Sequence, residues 1–282
     1  MRTELNRFTR RAMRAVALLA AMLIAQGAAP VMAADRPAEN AVDNWKKIRP
    51  SLFKERGIAA DAEQMIELVT PVRAEDAAVV PVAIRTRLAQ SPDRYIKRLY
   101  LIIDKNPAPL AAVFNMTPEA GRADIETRVR VEEYTDIRVV VEMNDDSLHM
   151  TSRYVKASGG CSAPAGKDPA AAMAGIGRMK LTLEQAPQLN RPVLAQLMIR
   201  HPNFSGLAMD QVTRLYTPPH YVKRVDIAYN GKPVISADTD ISISENPNFR
   251  FYFVPRQDGK LTVEVLDSQD ASYKAALPVK TN

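Results

Sequence analysis

The feature that most limits what this chain can fold into is a succession of short β-branched runs, each closed by a turn. Between Met65 and Lys156 they read "MIELVT", "AVVPVAI", "YIKRLYLII", "LAAVFN", "DIETRVRV", "DIRVVVEM" and "SLHMTSRYV". Ile125, Thr127, Val129 and Val131 alternate with polar residues, the period of a strand with one face in a core. Repeated at intervals of about ten residues, such runs specify an antiparallel sandwich rather than βαβ units. Pro81 has no N–H for a ladder and is expected at an edge strand or bulge.

A second series begins near Met179 with "RMKLTL", "LAQLMIR", "YVKRVDIAYN", "PVISAD", "NFRFYFVP", "KLTVEVLD" and "ASYKAALPV". "YNGKP" supplies an Asn-Gly hairpin turn and "RQDGK" another turn. Before both series, Trp45, Ile48, Leu52 and Phe53 fall at helical spacing. Asp43 is a candidate N-cap, and Pro50 predicts a break or kink between two short helical pieces. Trp45 is expected to be a packing anchor. The fold class is therefore all-β: two immunoglobulin-like antiparallel sandwiches with a short N-terminal helical segment and a flexible interdomain linker. The predicted boundaries are 1–34, 35–157, 158–176 for the linker and 177–282.

Residues 1–34 read as a secretory signal. Arg2, Arg7, Arg10, Arg11 and Arg14 form a basic stretch, Ala15 to Ala25 an apolar one, and "APVMAA" offers cleavage near Ala33 or Ala34. The apolar run falls short of the roughly 20 residues a membrane span needs, and no later run approaches it. The expected location is a bacterial periplasm, with no membrane span after cleavage. The signal holds five arginines and one glutamate, so it carries most of the formal charge of +6. With 38 basic and 32 acidic residues in the whole chain, 33 and 31 remain after its removal. No basic stripe survives, which argues against a nucleic-acid partner.

The single cysteine, Cys161, lies in "KASGGCSAPAGKDPAAAMAGIG". Gly159 and Gly160 leave the backbone free, and Pro164 and Pro169 discourage helix and central strand. The expectation is an exposed thiol on a mobile arm, with a pKa near the reference value of about 8.5. One cysteine cannot close an intramolecular disulfide, so in an oxidising compartment it is free, paired with another molecule or covalently loaded.

"AAVVPVAI", "YLIIDKNPAPLAAVFN" and "SRYVKASGGC" resemble the sulfur-carrier subunit SoxY; "MIRHPNFSG", "PPHYVKRVDIAYNGKPVISAD" and "SENPNFRFYF" resemble its partner SoxZ. The chain is similar to a fused SoxYZ-like carrier of the kind associated with quinoprotein dehydrogenases. The resemblance implies a carrier rather than an enzyme, with Cys161 as the covalent attachment residue and Gly159 and Gly160 as the hinge of its arm. It implies no catalytic residue, metal or cofactor beyond a covalent sulfur adduct on Cys161. The implied partners are periplasmic sulfur-metabolism enzymes or a quinoprotein (PQQ) dehydrogenase, with SoxY-like and SoxZ-like domains pairing within the chain. A non-covalent docking module for that dehydrogenase is the alternative. One departure stands out: the family arm ends soon after its cysteine, whereas here "SAPAGKDP" leads into the second domain.

Other constellations are weaker. His149, His201 and His220 show no HxH, HExxH or CxxC spacing, and solvent-facing or capping roles are expected for them. Met173 and Met179 could join Cys161 around copper(I), but packing of linker hydrophobes is the expected use. Glu132-Glu133 and Asp145-Asp146 read as solvated strand ends and turns.

Overall fold

The computed structural model describes residues 44–164, 172–210 and 213–282. The proposed signal segment, the Asp43 cap and Lys167 and Pro169 of the linker lie outside them. Among the described residues, fourteen strands form where the alternating runs predict them. The first series gives β1 (Ile66–Val69), β2 (Val80–Thr86), β3 (Ile96–Ile103), β4 (Leu110–Met116), β5 (Ile125–Val129), β6 (Thr135–Met143) and β7 (Leu148–Val155). The second gives β8 (Met179–Leu183), β9 (Val193–Ile199), β10 (Val222–Tyr229), β11 (Lys232–Thr239), β12 (Asn248–Phe253), β13 (Gly259–Asp267) and β14 (Ser272–Val279).

The fold is all-β, two immunoglobulin-like halves side by side, and their sheets run through from one half to the other. One sheet has the order β1-β2-β5-β12-β9-β8, the other β14-β13-β10-β11-β4-β3-β6-β7. The seams are antiparallel ladders: β4 pairs with β11 from Ala112↔Thr239 to Met116↔Ile235, and β5 with β12 through Ile125↔Phe251 and Glu126↔Arg250. Joining the halves this way removes edge strands that would otherwise expose unpaired N–H and C=O groups. The inner faces of both sheets enclose one apolar core, with Ile84, Leu101, Val139 and Ile125 from the first half and Leu197, Phe251, Phe253 and Val263 from the second.

Local chemistry sets the details. Asn230 and Gly231 both take positive φ (49° and 77°), the geometry of the tight β10–β11 hairpin. β2 is an interior strand, but β1 pairs it only from Ala83 to Thr86, so Pro81 lies past the end of β1 and its missing N–H breaks no ladder on that side. The expected break at Pro50 does not occur: one helix, α1 (Trp45–Phe53), runs through it. Pro50 forfeits one backbone hydrogen bond, and the packing of α1 on the outer face of β3, β6 and β7 outweighs that loss. Trp45 and Phe53 bury against Ile102, Val140 and Leu148, Phe53 meets Tyr100 edge-to-face at 4.9 Å, and the Arg138 guanidinium stacks 5.0 Å from the Trp45 ring centre. No helix among the described residues is long and apolar enough to cross a membrane.

Candidate functional site

After β7 the chain continues as an extended segment held on both sides. Lys156 N–H donates to the Val72 carbonyl and Ala74 N–H to the Lys156 carbonyl; Gly159 and Gly160 then donate to the carbonyls of Glu132 and Val131 at 2.8 and 2.9 Å. Gly160 is required by this fit, since a Cβ there would sit 2.0 Å from the Ala77 carbonyl oxygen. Gly159 is different: its φ is +81° and a Cβ would meet nothing within 4 Å. The two glycines expected to act as one hinge therefore divide the work, Gly159 as the bend and Gly160 as the close-packing point.

The exposed thiol expected from the sequence is not what the structure shows. Cys161 is fully buried. Small flanking side chains cannot enclose it by themselves, but the segment is tied by hydrogen bonds to both halves. Glu132 anchors it: Oε2 accepts the amides of Cys161 (2.8 Å) and Ser162 (3.2 Å), and Oε1 accepts the Ser162 hydroxyl (3.0 Å). From the second half, the Ser205 hydroxyl donates to the Cys161 carbonyl at 2.5 Å. Beneath lies Arg130, 2 % exposed, whose Nη1 donates to the Gly160 carbonyl and Nη2 to the Asn203 carbonyl, both at 3.2 Å. Burial pushes the Cys161 thiol up to about 12, the Glu132 charge adding to the rise and Arg130 opposing it. The expectation of an ordinary thiol pKa is corrected accordingly: docked, this cysteine is a poor nucleophile.

Asn203 leads to a second buried group. Its side chain accepts the Val222 amide and donates to the Ile243 carbonyl, and its own N–H donates to Nδ1 of His201 at 3.1 Å. His201 and His220 stack edge-to-face with ring centres 4.7 Å apart, and His220 Nε2 lies 2.9 Å from Oδ2 of the fully buried Asp267. These two histidines, expected in solvent-facing or capping roles, are core residues. Asp267 makes their burial tolerable. Burial works against its charge, but hydrogen bonds from His220, the Ala271 and Gln269 amides and Tyr273 outweigh that and hold its pKa below the usual carboxylate value. His149 is half-buried, with Nδ1 2.7 Å from Asp61 and Nε2 3.1 Å from the Ser147 hydroxyl.

His201, His220 and Asp267 bring three ligand-type atoms within 4.8 Å of one another. The tautomer argues against a metal there. Nδ1 of His201 accepts the Asn203 N–H, so in the neutral ring the proton sits on Nε2, which then has no lone pair for a cation. That N–H points at Asp267 from 3.6 Å and finds no closer partner. Burial and the neighbouring His220 push the His201 pKa down to about 4, consistent with a neutral ring. Of the two methionines expected to pack, Met179 does so from β8, whereas Met173 is exposed.

Sequence reasoning missed Arg130, Glu132, Asn203 and Ser205. Arg130 sits in "RVRVEE" where a strand ending in solvent would look the same, and Glu132 belongs to an acidic pair that reads as a solvated strand end. Their roles come from partners well separated along the chain, Cys161 for Glu132, Gly160 and Asn203 for Arg130, and the Cys161 carbonyl for Ser205. Asp145 and Asp146 do form the expected turn: Asp145 caps the Ser147 amide, and Asp146 pairs with Lys97.

Comparison with known proteins adds the family. Residues 49–161 match the family model of sulfur oxidation protein SoxY, ending on Cys161, and residues 179–278 match that of sulphur oxidation protein SoxZ. No curated protein sequence matches the chain. Among solved structures, the sulfur carrier protein SoxY from Chlorobium limicola f thiosulfatophilum is 22% identical, covering 40% of this chain and 91% of its own, with a TM-score of 0.34. A superoxide reductase (neelaredoxin) from Ignicoccus hospitalis is 12% identical over 39% of this chain and 83% of its own, with a TM-score of 0.28. Fibronectin(III)-like modules of Clostridium thermocellum CbhA are 11% identical over 77% of this chain and 94% of their own, with a TM-score of 0.24.

Proposed function

The chain is a SoxYZ-like protein, a SoxY domain followed by a SoxZ domain in one polypeptide, and from that premise we propose that it is a carrier that holds a sulfur species covalently on Cys161. The observation that carries the reading is the placement of the lone cysteine. It ends the SoxY match, follows a glycine bend, and sits on a segment whose backbone is hydrogen-bonded to both halves, through Glu132 and Ser205.

The docked and released states divide the chemistry. With its thiol pKa pushed up to about 12, the docked, unloaded cysteine is almost entirely the unreactive thiol at pH 7, so the docked segment does not take up cargo. Loading requires the segment to swing out about Gly159, where solvation returns the thiol toward its ordinary pKa. The thiolate then attacks the sulfane sulfur of a donor such as a polythionate or persulfide. A new S–S bond forms to Cys161, the donor's S–S bond breaks, its leaving sulfur departs with the electron pair, and the thiol proton goes to solvent. The donor is the only oxidant this exchange needs.

The basic and apolar opening stretch supports export to a periplasm, where the proposed partners are sulfur-metabolism enzymes. Fusion holds the two domains at a fixed one-to-one ratio and removes the concentration dependence of a heterodimer. The test is a Cys161→Ser chain incubated with a sulfane donor beside the wild type, read by intact mass. Wild type should gain a reductant-sensitive adduct on the Cys161 peptide, and the folded serine chain should gain none. If the serine variant unfolds instead, the thiol is structural. If it still supports a quinoprotein dehydrogenase in an activity assay, docking on that enzyme takes the place of carriage.

A further inference from the structure

Arg130 is a fully buried guanidinium bonded to the carbonyl of Gly160, next to Cys161. A guanidinium taken out of water costs several kcal/mol unless its donors and its charge are met. Here two nitrogens donate to the carbonyls of Gly160 and Asn203, while Nε, also buried, has no hydrogen-bond partner. The charge is met only at a distance: Glu245 and Asp76 attract it without hydrogen-bonding, and burial lowers its pKa. Glu132, the nearest carboxylate to the cysteine, directs its oxygens to the Cys161 and Ser162 amides and the Ser162 hydroxyl. A staple between two carbonyls would explain Nη1 and Nη2. It leaves the Nε donor without an acceptor and the charge without a hydrogen-bonded carboxylate, and the Nη1 bond to Gly160 places the guanidinium next to the residue that precedes the cysteine.

We propose that Arg130 recognises a negatively charged, oxyanion-terminated sulfur adduct on Cys161, its Nε–H donating to a terminal oxygen. The proposal rests on Cys161 being the attachment residue and names the class of cargo that the shelter prefers. An uncharged adduct leaves Arg130 as it is; a sulfonate-terminated one supplies an acceptor for Nε and a counter-charge in direct contact. The loaded segment therefore docks more firmly, and the adduct is released more slowly, when the cargo ends in a sulfonate.

Two reagents separate the cases. With tetrathionate the Cys161 thiolate attacks an inner sulfur, forms Cys–S–S–SO₃⁻ and expels thiosulfate. With methyl methanethiosulfonate it forms the neutral Cys–S–S–CH₃ and expels methanesulfinate. Reductive release of each adduct by dithiothreitol is followed by intact mass for wild type, Arg130→Gln and Arg130→Lys. We expect Arg130→Gln to release the sulfonate adduct about tenfold faster or more, the effect of losing a charge-assisted hydrogen bond, with the methylthio adduct little changed and Arg130→Lys in between. Equal acceleration of both adducts in Arg130→Gln means a staple only and overturns the proposal, as does no acceleration of either. Thermal melting of the two loaded wild-type forms keeps the question open to test even if the variants fold poorly. The sulfonate form should melt higher, and an equal or lower melting temperature contradicts the proposal. A wild-type chain that takes neither adduct contradicts the attachment reading itself, and the role of Arg130 falls with it.

Discussion

The Glu132 carboxylate holds the backbone that carries Cys161: one of its oxygens accepts the Cys161 amide at 2.8 Å and the Ser162 amide at 3.2 Å, the other the Ser162 hydroxyl at 3.0 Å. The same charge disfavours the thiolate beside it. One side chain thus both docks the segment and quiets its sulfur. Hydrogen bonds to a charged group are worth about 1.5–3 kcal/mol. Glu132→Ala should raise the rate of Cys161 alkylation by iodoacetamide at pH 8 roughly tenfold or more, while the melting temperature moves little. An unchanged rate would mean that other contacts hold the segment closed.

Gly160 gives an independent handle on the same equilibrium. An alanine Cβ there would collide with the Ala77 carbonyl oxygen and lie 2.8 Å from the Val131 nitrogen. Backbone on both sides cannot yield, so Gly160→Ala should expel the segment and expose the thiol with the sandwich intact. Its Cys161 alkylation rate should approach that of an unstructured cysteine peptide. A rate as slow as wild type would show that the segment redocks around the extra methyl group.

How much of this was legible beforehand depends on where each signal resides. The strands were legible because alternation at Ile125, Thr127, Val129 and Val131 is a local pattern, as is the Asn230-Gly231 turn. The sheet order was not, because the β4–β11 and β5–β12 seams pair residues more than a hundred positions apart. The exposure expected of Cys161 was misjudged: the flanking glycines and small residues were read as freedom, when at Gly160 the missing side chain serves close packing. His201 and His220 were misjudged for a related reason. A histidine beside a proline looks like a loop residue until Asp267, from a distant strand end, arrives as its buried partner.

That histidine cluster sets the acid limb of stability. His201 titrates near 4 when folded against 6.5 as its ordinary value, because burial disfavours the charged ring. Between those values the unfolded chain binds more protons than the folded one, so stability rises with pH across that window and levels off above it. The shift corresponds to about 3 kcal/mol, lost as pH falls from 6.5 to 4. Asp267, held below its ordinary value, acts in the same direction, its contribution being lost as pH falls through its folded pKa. Urea unfolding from pH 4 to 7 should show this slope, and His201→Asn, which keeps an acceptor for the Asn203 amide, should flatten it. An equally steep slope in that variant would assign the acid sensitivity elsewhere.

Because the two halves share both sheets and one core, they should unfold together. Calorimetry should give a single transition whose calorimetric and van't Hoff enthalpies agree. Cutting the chain between Ser162 and Gly177 should leave the fragments associated, held by the β4–β11 and β5–β12 ladders. Two separate transitions would contradict the continuous core.

The central claim is that Cys161 carries sulfur, and the most direct measurement is the intact mass of the mature protein isolated from sulfur-oxidising cells, before and after a reductant, with the Cys161 peptide mapped. The account predicts a reducible adduct of added sulfur atoms or a sulfonate-terminated chain on that peptide. An unmodified thiol in cells actively oxidising sulfur would contradict it.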